Sequence, residues 1–368
     1  LPGPNGKTLS GTDHNNFMQR CLELAAKGLG RTAPNPLVGA VLVHRGTIIG
    51  EGYHKACGSA HAEVHAIASV RDPDKLADAT LYVNLEPCCH HGRTPPCTSL
   101  ILEKRIPRVV VGTADPFPQV AGRGIRLLRD QGVEVETGIM AGACRNLNKR
   151  FFTHHEKKRP YVILKWAQTA DGFIDVIREP GQEARPTWIT GQRLRMLVHK
   201  WRSEEQAIMV GPRTALMDNP RLNVRDWSGP QPVRVVLDRL LGLPETLHLF
   251  DGSQRTLIFN QMKEEVRHNA EWVRIEFTPS PLPHLLEVLH GMNIQSLFVE
   301  GGRKTLQAFI DEDLWDEART FIGPRFFGRG IPAPVIAGVE PERVPIGKEA
   351  FFWFRNARQT QAIRPCST

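Results

Sequence analysis

Residues 81–97 read LYVNLEPCCHHGRTPPC, and this stretch decides how the N-terminal part of the chain is built. Leu81 to Leu85 is expected to be a strand, Glu86-Pro87 ends it, and Cys88 and Cys97 follow with eight residues between them. Upstream, His61-Ala62-Glu63 opens a helical pattern that runs to Val70, directly after the small-residue loop Gly58-Ser59-Ala60. One imidazole and two thiolates form a three-ligand set for Zn²⁺, leaving the fourth position to a water whose pKa the ion lowers to ~7. Glu63, two positions past His61, can reach such a water without binding the metal and carry its proton to a leaving group. Taken alone, a His-x-Glu on a helix is a solvated face, and two cysteines are core or a structural clip. Their joint occurrence at strand and helix ends favours catalysis. Cys89 stands beside Cys88 as a competing ligand, but no Cys follows it two residues later.

Working outward, apolar strands alternate with helical patterns. Met18, Cys21, Leu22, Ala25 and Ala26 fall at helical spacing and Gly28 ends that run. Val38 to Val43, the turn His44-Arg45-Gly46 and the run near Ile48 predict a hairpin. Further strands are expected at 108–112 and 133–136, with helices after Cys97 and over 124–131. A zinc-binding domain over 13–152 is expected, then a polar linker at 153–160 (THHEKKRP), then a second domain over 161–368. There, strands are expected at 161–166, 207–210, 233–237, 256–259, 296–299 and 317–322, and helices over 192–201, 283–290 and 304–311. A late aromatic strand at 351–354 is expected to pair antiparallel. The fold class is α/β, with two three-layer domains.

Composition narrows the function. Of 368 residues, 41% are hydrophobic and Lys plus Arg exceed Asp plus Glu by 47 − 39 = 8, which excludes a disordered chain. No apolar stretch approaches the ~18 residues of a membrane span. Residues 1–12 are expected to be a flexible arm or a cloning remnant. Three of the seven cysteines lie within ten positions, as in a metal site of a reducing, cytoplasmic protein rather than a disulfide framework. The basic excess is scattered, so a small phosphorylated ligand is favoured over nucleic acid.

His-x-Glu, then Pro-Cys and a later Cys, is the signature of zinc-dependent nucleobase deaminases. The loop from Cys88 to Cys97, with Ala33-Pro34-Asn35-Pro36-Leu37-Val38-Gly39, Gly52-Tyr53-His54 and Asp115 to Gly124 (DPFPQVAGRG), closely resembles the bifunctional riboflavin-biosynthesis deaminase–reductase family. The resemblance runs over nearly the whole chain after residue 12. It implies a cytidine-deaminase-like first domain, with Asn35, His54, His90 and Arg93 holding a pyrimidine and its ribose phosphate. An amide can read a pyrimidine edge, and His and Arg give charge-assisted bonds to phosphate.

No Gly-x-Gly-x-x-Gly follows the first strand of the second half, so a Rossmann domain is not indicated. Val299-Glu300-Gly301-Gly302 ends a strand before a helix, a turn whose N–H groups suit an anion. Lys165, Thr169-Ala170-Asp171-Gly172, Trp188-Ile189-Thr190 and Thr214 to Arg225 (TALMDNPRLNVR) resemble the reductase half of the same family. The resemblance implies a dihydrofolate-reductase-like fold using NADPH. It places Lys165, Arg202, Asp218, Leu222, Arg225 and Glu300 around the substrate, and Gln168, Trp188, Thr214, Gly301 and Gly302 around the cofactor. The chain departs from the family in a longer 171–188 segment, in Gln168 and Pro186, and in Asp218-Asn219 where paired acids are usual. The expectation is zinc-dependent deamination of a small phosphorylated pyrimidine followed by NADPH reduction of its ribose, in a homo-oligomer. A nucleic-acid-editing deaminase and a non-catalytic zinc module are the competing readings.

Overall fold

Strand alternation gives the first unit two apolar faces. In the computed structural model, which describes residues 11–90, 95–118, 120–178, 187–346 and 349–360, the chain divides into two units, Leu1–Lys158 and Arg159–Thr368. The first comprises α1 (Gly11–Ala26), β1 (Gly39–His44), β2 (Thr47–Tyr53), α2 (Ala62–Ala68), β3 (Ala79–Leu85), α3 (Cys97–Glu103), β4 (Arg108–Thr113), α4 (Arg123–Asp130), β5 (Glu134–Thr137), α5 (Ala141–Leu147) and α6 (Lys149–Lys157). The sheet order is β2-β1-β3-β4-β5, with β1 antiparallel to β2 and β3, and β3, β4 and β5 parallel. Ala40, Leu42, Leu81, Val83, Val109 and Val111 pack with residues of α2, α3 and α4. Their neighbours in sequence, Val41, Val43, Tyr82 and Val110, pack with α1 and α5. Period-two side chains on strands buried from both sides produce this three-layer arrangement.

The second unit comprises β6 (Tyr161–Gln168), β7 (Phe173–Asp175), α7 (Gln192–Glu204), β8 (Ala207–Val210), α8 (Pro212–Asp218), β9 (Val233–Leu237), β10 (Thr256–Asn260), β11 (Glu265–Arg267), β12 (Ala270–Arg274), α9 (Leu282–Gly291), β13 (Ser296–Val299), α10 (Arg303–Asp311), β14 (Glu317–Ile322), β15 (Ile331–Pro332), β16 (Glu342–Ile346) and β17 (Glu349–Arg355). Its ten-stranded sheet runs β11-β12-β10-β9-β8-β13-β6-β14-β17-β16. The stretch from β12 to β14 is parallel, and β11, β17 and β16 pair antiparallel at the edges. Here too the strands feed two cores, one with α9 and α10 and one with α7 and α8.

Two expected boundaries move. Gly11 and Thr12, assigned to the arm, begin α1, while residues 1–10 lie outside the described residues. The expected linker at 153–160 is helical as far as Lys157, and the unit boundary falls at Lys158/Arg159. Phe151 and Phe152, just upstream of that polar stretch, pack with Leu85 and anchor the helix. His155 lies against Phe151 at a ring separation of 4.4 Å, the i,i+4 contact of a helical turn. Among the described residues no helix is long and apolar enough to cross a membrane.

Candidate active sites

In the first unit, His61 is the extended residue preceding α2, Cys88 follows the end of β3, and Cys97 opens α3. These elements bring one ligand atom from each residue within 4.8 Å of the others. His61 Nδ1 lies 3.3 Å from Cys97 Sγ and 3.5 Å from Cys88 Sγ. The Cys97 N–H donates to Cys88 Sγ at 3.3 Å. The hydrogen bond from the Cys97 thiol, with others from His61 and the Cys97 backbone, pushes the Cys88 thiol well below its usual range. Cys97 itself is raised by the same pairing and by burial. A divalent cation would take the place of the proton these sulfurs share, and His/Cys/Cys is a donor set suited to zinc. Cys89 is not a member of the cluster.

Glu63 is in the first turn of α2 and 3% exposed, and its Oε2 has no hydrogen-bond partner among the described residues. Burial, with the Cys88 charge adding to it, pushes its pKa up to about 7. A buried carboxyl with an unengaged oxygen can both accept and return a proton.

His54, expected among the residues that hold the pyrimidine and its ribose phosphate, has both ring nitrogens engaged within the protein. It is 2% exposed, and burial lowers its pKa. Its Nδ1 faces the Ala60 carbonyl at 3.1 Å, and its Nε2 faces Asn35 Nδ2 at 3.1 Å. A carbonyl only accepts, so Nδ1 carries the proton and Nε2 accepts from the Asn35 amide. A neutral, buried His54 therefore orients Asn35 and offers no charge. His90 is exposed, 6.4 Å from the Phe117 ring; Arg93 lies outside the described residues.

Sequence reasoning passed over Glu86. This residue is 4% exposed, and its carboxylate accepts four backbone N–H bonds, from Gly122 and Gly124 at 2.9 Å and from Asp115 and Ile125 at 3.2 Å. It fastens the 115–125 loop to the turn carrying Cys88. A Cβ on Gly124 would lie 2.2 Å from the Pro87 carbonyl oxygen, so only glycine permits that approach.

In the second unit, parallel pairing of β13 with β6 aligns Val299 with Leu164, which sets Glu300 beside Lys165. Lys165 Nζ is 3.8 Å from Glu300 Oε2. Arg202, on α7, grips the same carboxylate with Nε at 2.5 Å and Nη2 at 2.8 Å. Burial pushes the Glu300 carboxyl up, but Arg202 and Lys165 outweigh it and hold the pKa down at about 2. Burial pulls the Lys165 ammonium down, with Glu300 opposing. Arg202, expected at the substrate, thus spends its guanidinium on Glu300 and on the Asn223 carbonyl at 3.0 Å. Leu222 is 2% exposed and its side chain belongs to the core, with a left-handed backbone (φ 51°) that turns the chain. Arg225 is exposed. Asp218 ends α8, and burial with help from Asp175 raises it to about 6.

The expected cofactor residues Thr214, Gly301 and Gly302 meet. The Gly211 N–H donates to the Gly301 carbonyl at 2.8 Å, and a Cβ on Gly302 would come 2.7 Å from Thr214 Oγ1. Gly302 immediately precedes α10, so a bare backbone faces the start of a helix, a fit for a dinucleotide pyrophosphate. Gln168 Oε1 accepts from the Trp166 indole at 2.8 Å. Trp188 is half exposed, with the Arg195 guanidinium 4.7 Å from its ring centroid. Residues 179–186 of the lengthened segment, Pro186 among them, lie outside the described residues.

Comparison with known proteins agrees with both halves. The family profile for the cytidine and deoxycytidylate deaminase zinc-binding region matches residues 11–113, and that for the RibD C-terminal domain matches 160–345. Riboflavin biosynthesis protein RibD of Aquifex aeolicus is 40% identical over 322 residues, covering 86% of this chain and 88% of its own. The Escherichia coli protein of that name is 36% identical over 331 residues, covering 85% and 88%. A solved Thermotoga maritima structure, a diaminohydroxyphosphoribosylaminopyrimidine deaminase/5-amino-6-(5-phosphoribosylamino)uracil reductase, is 38% identical with a TM-score of 0.84, covering 94% of this chain and 99% of its own. The chain therefore belongs to the RibD family of riboflavin biosynthesis, with a zinc-dependent deaminase in its first half and an NADPH-dependent reductase in its second.

Proposed function

We propose that the first unit hydrolyses the 2-amino group from 2,5-diamino-6-ribosylamino-4(3H)-pyrimidinone 5′-phosphate, releasing ammonia. The second then reduces the ribosyl group of 5-amino-6-(5-phosphoribosylamino)uracil to ribityl. The observation that carries this reading is the buried Glu63 oxygen, without a partner among the described residues, next to the His61–Cys88–Cys97 cluster. Held by that cluster, zinc would supply the activated water of the first step, and NADPH the hydride of the second. Glu63 carries the proton from water to the pyrimidine ring nitrogen and then to the departing amine. Asn35, oriented by His54, reads the pyrimidine edge, and His90 with Arg93 takes the phosphate.

In the reductase, Lys165 holds the proton exchanged with the ribose as it opens, and Glu300 keeps that ammonium in place. Arg225, exposed beside this group, anchors the phosphate, while Arg202 fixes Glu300. The Gly301-Gly302 turn and Thr214 receive the cofactor pyrophosphate, with Gln168 and Trp188 around its remainder, and Asp218 stands at the substrate.

The two half-reactions, assayed separately on one preparation, test the assignment. Lys165→Ala is expected to leave ammonia release within about twofold and to lower NADPH oxidation by at least ~10²-fold, the usual weight of a positioned proton carrier. Loss of both activities in a folded protein would refute the two-site reading. Gly302→Ala is expected to raise the KM for NADPH by about tenfold, one hydrogen bond's worth of misplaced backbone donors. An unchanged KM in that variant would remove this turn from the cofactor site.

A further inference from the structure

The segment 222–226 belongs to neither helix nor strand, yet the backbone of three successive residues in it, Asn223, Val224 and Arg225, is held by side chains. Arg202 Nη1 donates to the Asn223 carbonyl at 3.0 Å. The Gln231 amide grips Val224 on both sides, accepting its N–H at 2.7 Å and donating to its carbonyl at 2.8 Å. His199 Nδ1 accepts the Arg225 N–H at 3.3 Å, and its Nε2 lies 3.3 Å from Asp226 Oδ2. His199 and Arg202 are three residues apart on α7, so they share one helix face, and His199 is 3% exposed. A buried polar ring is costly unless both nitrogens are used, and here both are.

The tautomer follows from the partners. A backbone N–H only donates, so Nδ1 must be the bare nitrogen and Nε2 the protonated one, facing a carboxylate. Burial and the nearby Arg202 and Arg225 charges hold the His199 pKa at about 4, which keeps Nδ1 bare at neutral pH. The same α7 face therefore fixes both halves of the reductase site: Arg202 sets the Glu300 carboxylate and His199 sets the backbone from which the Arg225 guanidinium projects.

We propose that His199 and Gln231 are positioning residues of the reductase, clamping the 223–226 segment so that Arg225 meets the phosphate of the ribosyl substrate at a fixed distance from Lys165 and Glu300. This rests on the assignment of Arg225 to the phosphate. Neither residue touches the substrate; each acts through the backbone of Val224 or Arg225.

The test measures NADPH oxidation with 5-amino-6-(5-phosphoribosylamino)uracil and with its dephosphorylated form, on the full chain. His199→Ala and Gln231→Leu are each expected to raise the KM for the phosphorylated substrate by about tenfold, the loss of one well-placed charged contact. The KM for the dephosphorylated form, the KM for NADPH and kcat should stay within about twofold. His199→Asn, whose Oδ1 can replace Nδ1 as acceptor, should restore most of the loss, whereas His199→Gln should not. Arg225→Ala separates the two levels. If it leaves the preference for phosphate unchanged, the anchor assignment fails and the clamp with it. If it removes the preference while His199→Ala and Gln231→Leu keep it, the clamp alone is overturned. A His199→Ala protein that loses stability but retains its phosphate preference also overturns the proposal.

Discussion

Glu63→Gln is expected to slow ammonia release by about 10³-fold, ~4 kcal/mol of barrier, the upper part of the range for a positioned proton carrier. The substitution keeps the size of a side chain that is 3% exposed, so the cavity around it is preserved. It removes the ability to accept a proton at Oε2, an oxygen with no hydrogen-bond partner among the described residues. Zinc content is expected to be unchanged, because the donor cluster consists of His61, Cys88 and Cys97 and lacks this carboxylate. NADPH oxidation with the deaminated substrate should also be unchanged, since Lys165, Glu300 and Arg202 belong to the other unit. Metal analysis and the two half-assays on one sample decide the matter. Loss of zinc on this substitution would make Glu63 a structural or ligating group, and the proposed proton route would fall.

The sequence made the chemistry legible wherever a residue type was forced. The His61, Cys88 and Cys97 cluster could be read because zinc limits donors to few kinds of side chain, and these must sit at element ends to converge. Strands buried on both faces were equally plain: β3, β4, β8, β10 and β13 are each built on at least three consecutive apolar residues. The edges were not. β11, β12 and β16 carry charged residues such as Glu265, Arg267, Glu271 and Arg343, as half-exposed strands do, and no apolar run marks them. α6 was hidden because its burying residues, Phe151 and Phe152, precede the polar stretch that looked like a linker. Within the sites, the resemblance gathered residues without their division of labour. Whether Arg202 meets a phosphate or Glu300, and whether His54 meets a ligand or Asn35, depends on a partner more than ten positions away. Pattern along the chain carries no record of that. Only His199 left a faint signal, as one helical turn before Arg202 on the apolar side of α7.

Glu86 shows what such a hidden partner is worth. Its carboxylate is the common acceptor for the N–H groups of Asp115, Gly122, Gly124 and Ile125, so truncation would leave several buried donors without a partner, at ~1–3 kcal/mol each. Glu86→Ala is therefore expected to cost the first unit about 3–5 kcal/mol, the range found when a buried charged partner is removed. Glu86→Gln is a sharper probe. Its amide oxygen can still serve one pair of donors, but its NH₂ would point at the other pair, donor against donor. A cost of about 2–4 kcal/mol follows, which in a unit of this size lowers the first thermal transition by roughly 5–15 °C. Because the same side chain anchors the 115–125 loop against the turn bearing Cys88, ammonia release should fall in both variants at temperatures where the protein remains folded. The reductase transition and NADPH oxidation should not move. Calorimetry of the full chain, with the two half-assays run below the transition, gives the answer. A shift of less than about 2 °C for Glu86→Gln would mean that water or another group satisfies these donors, and the fastening of the loop would then have to be sought in its own backbone turns.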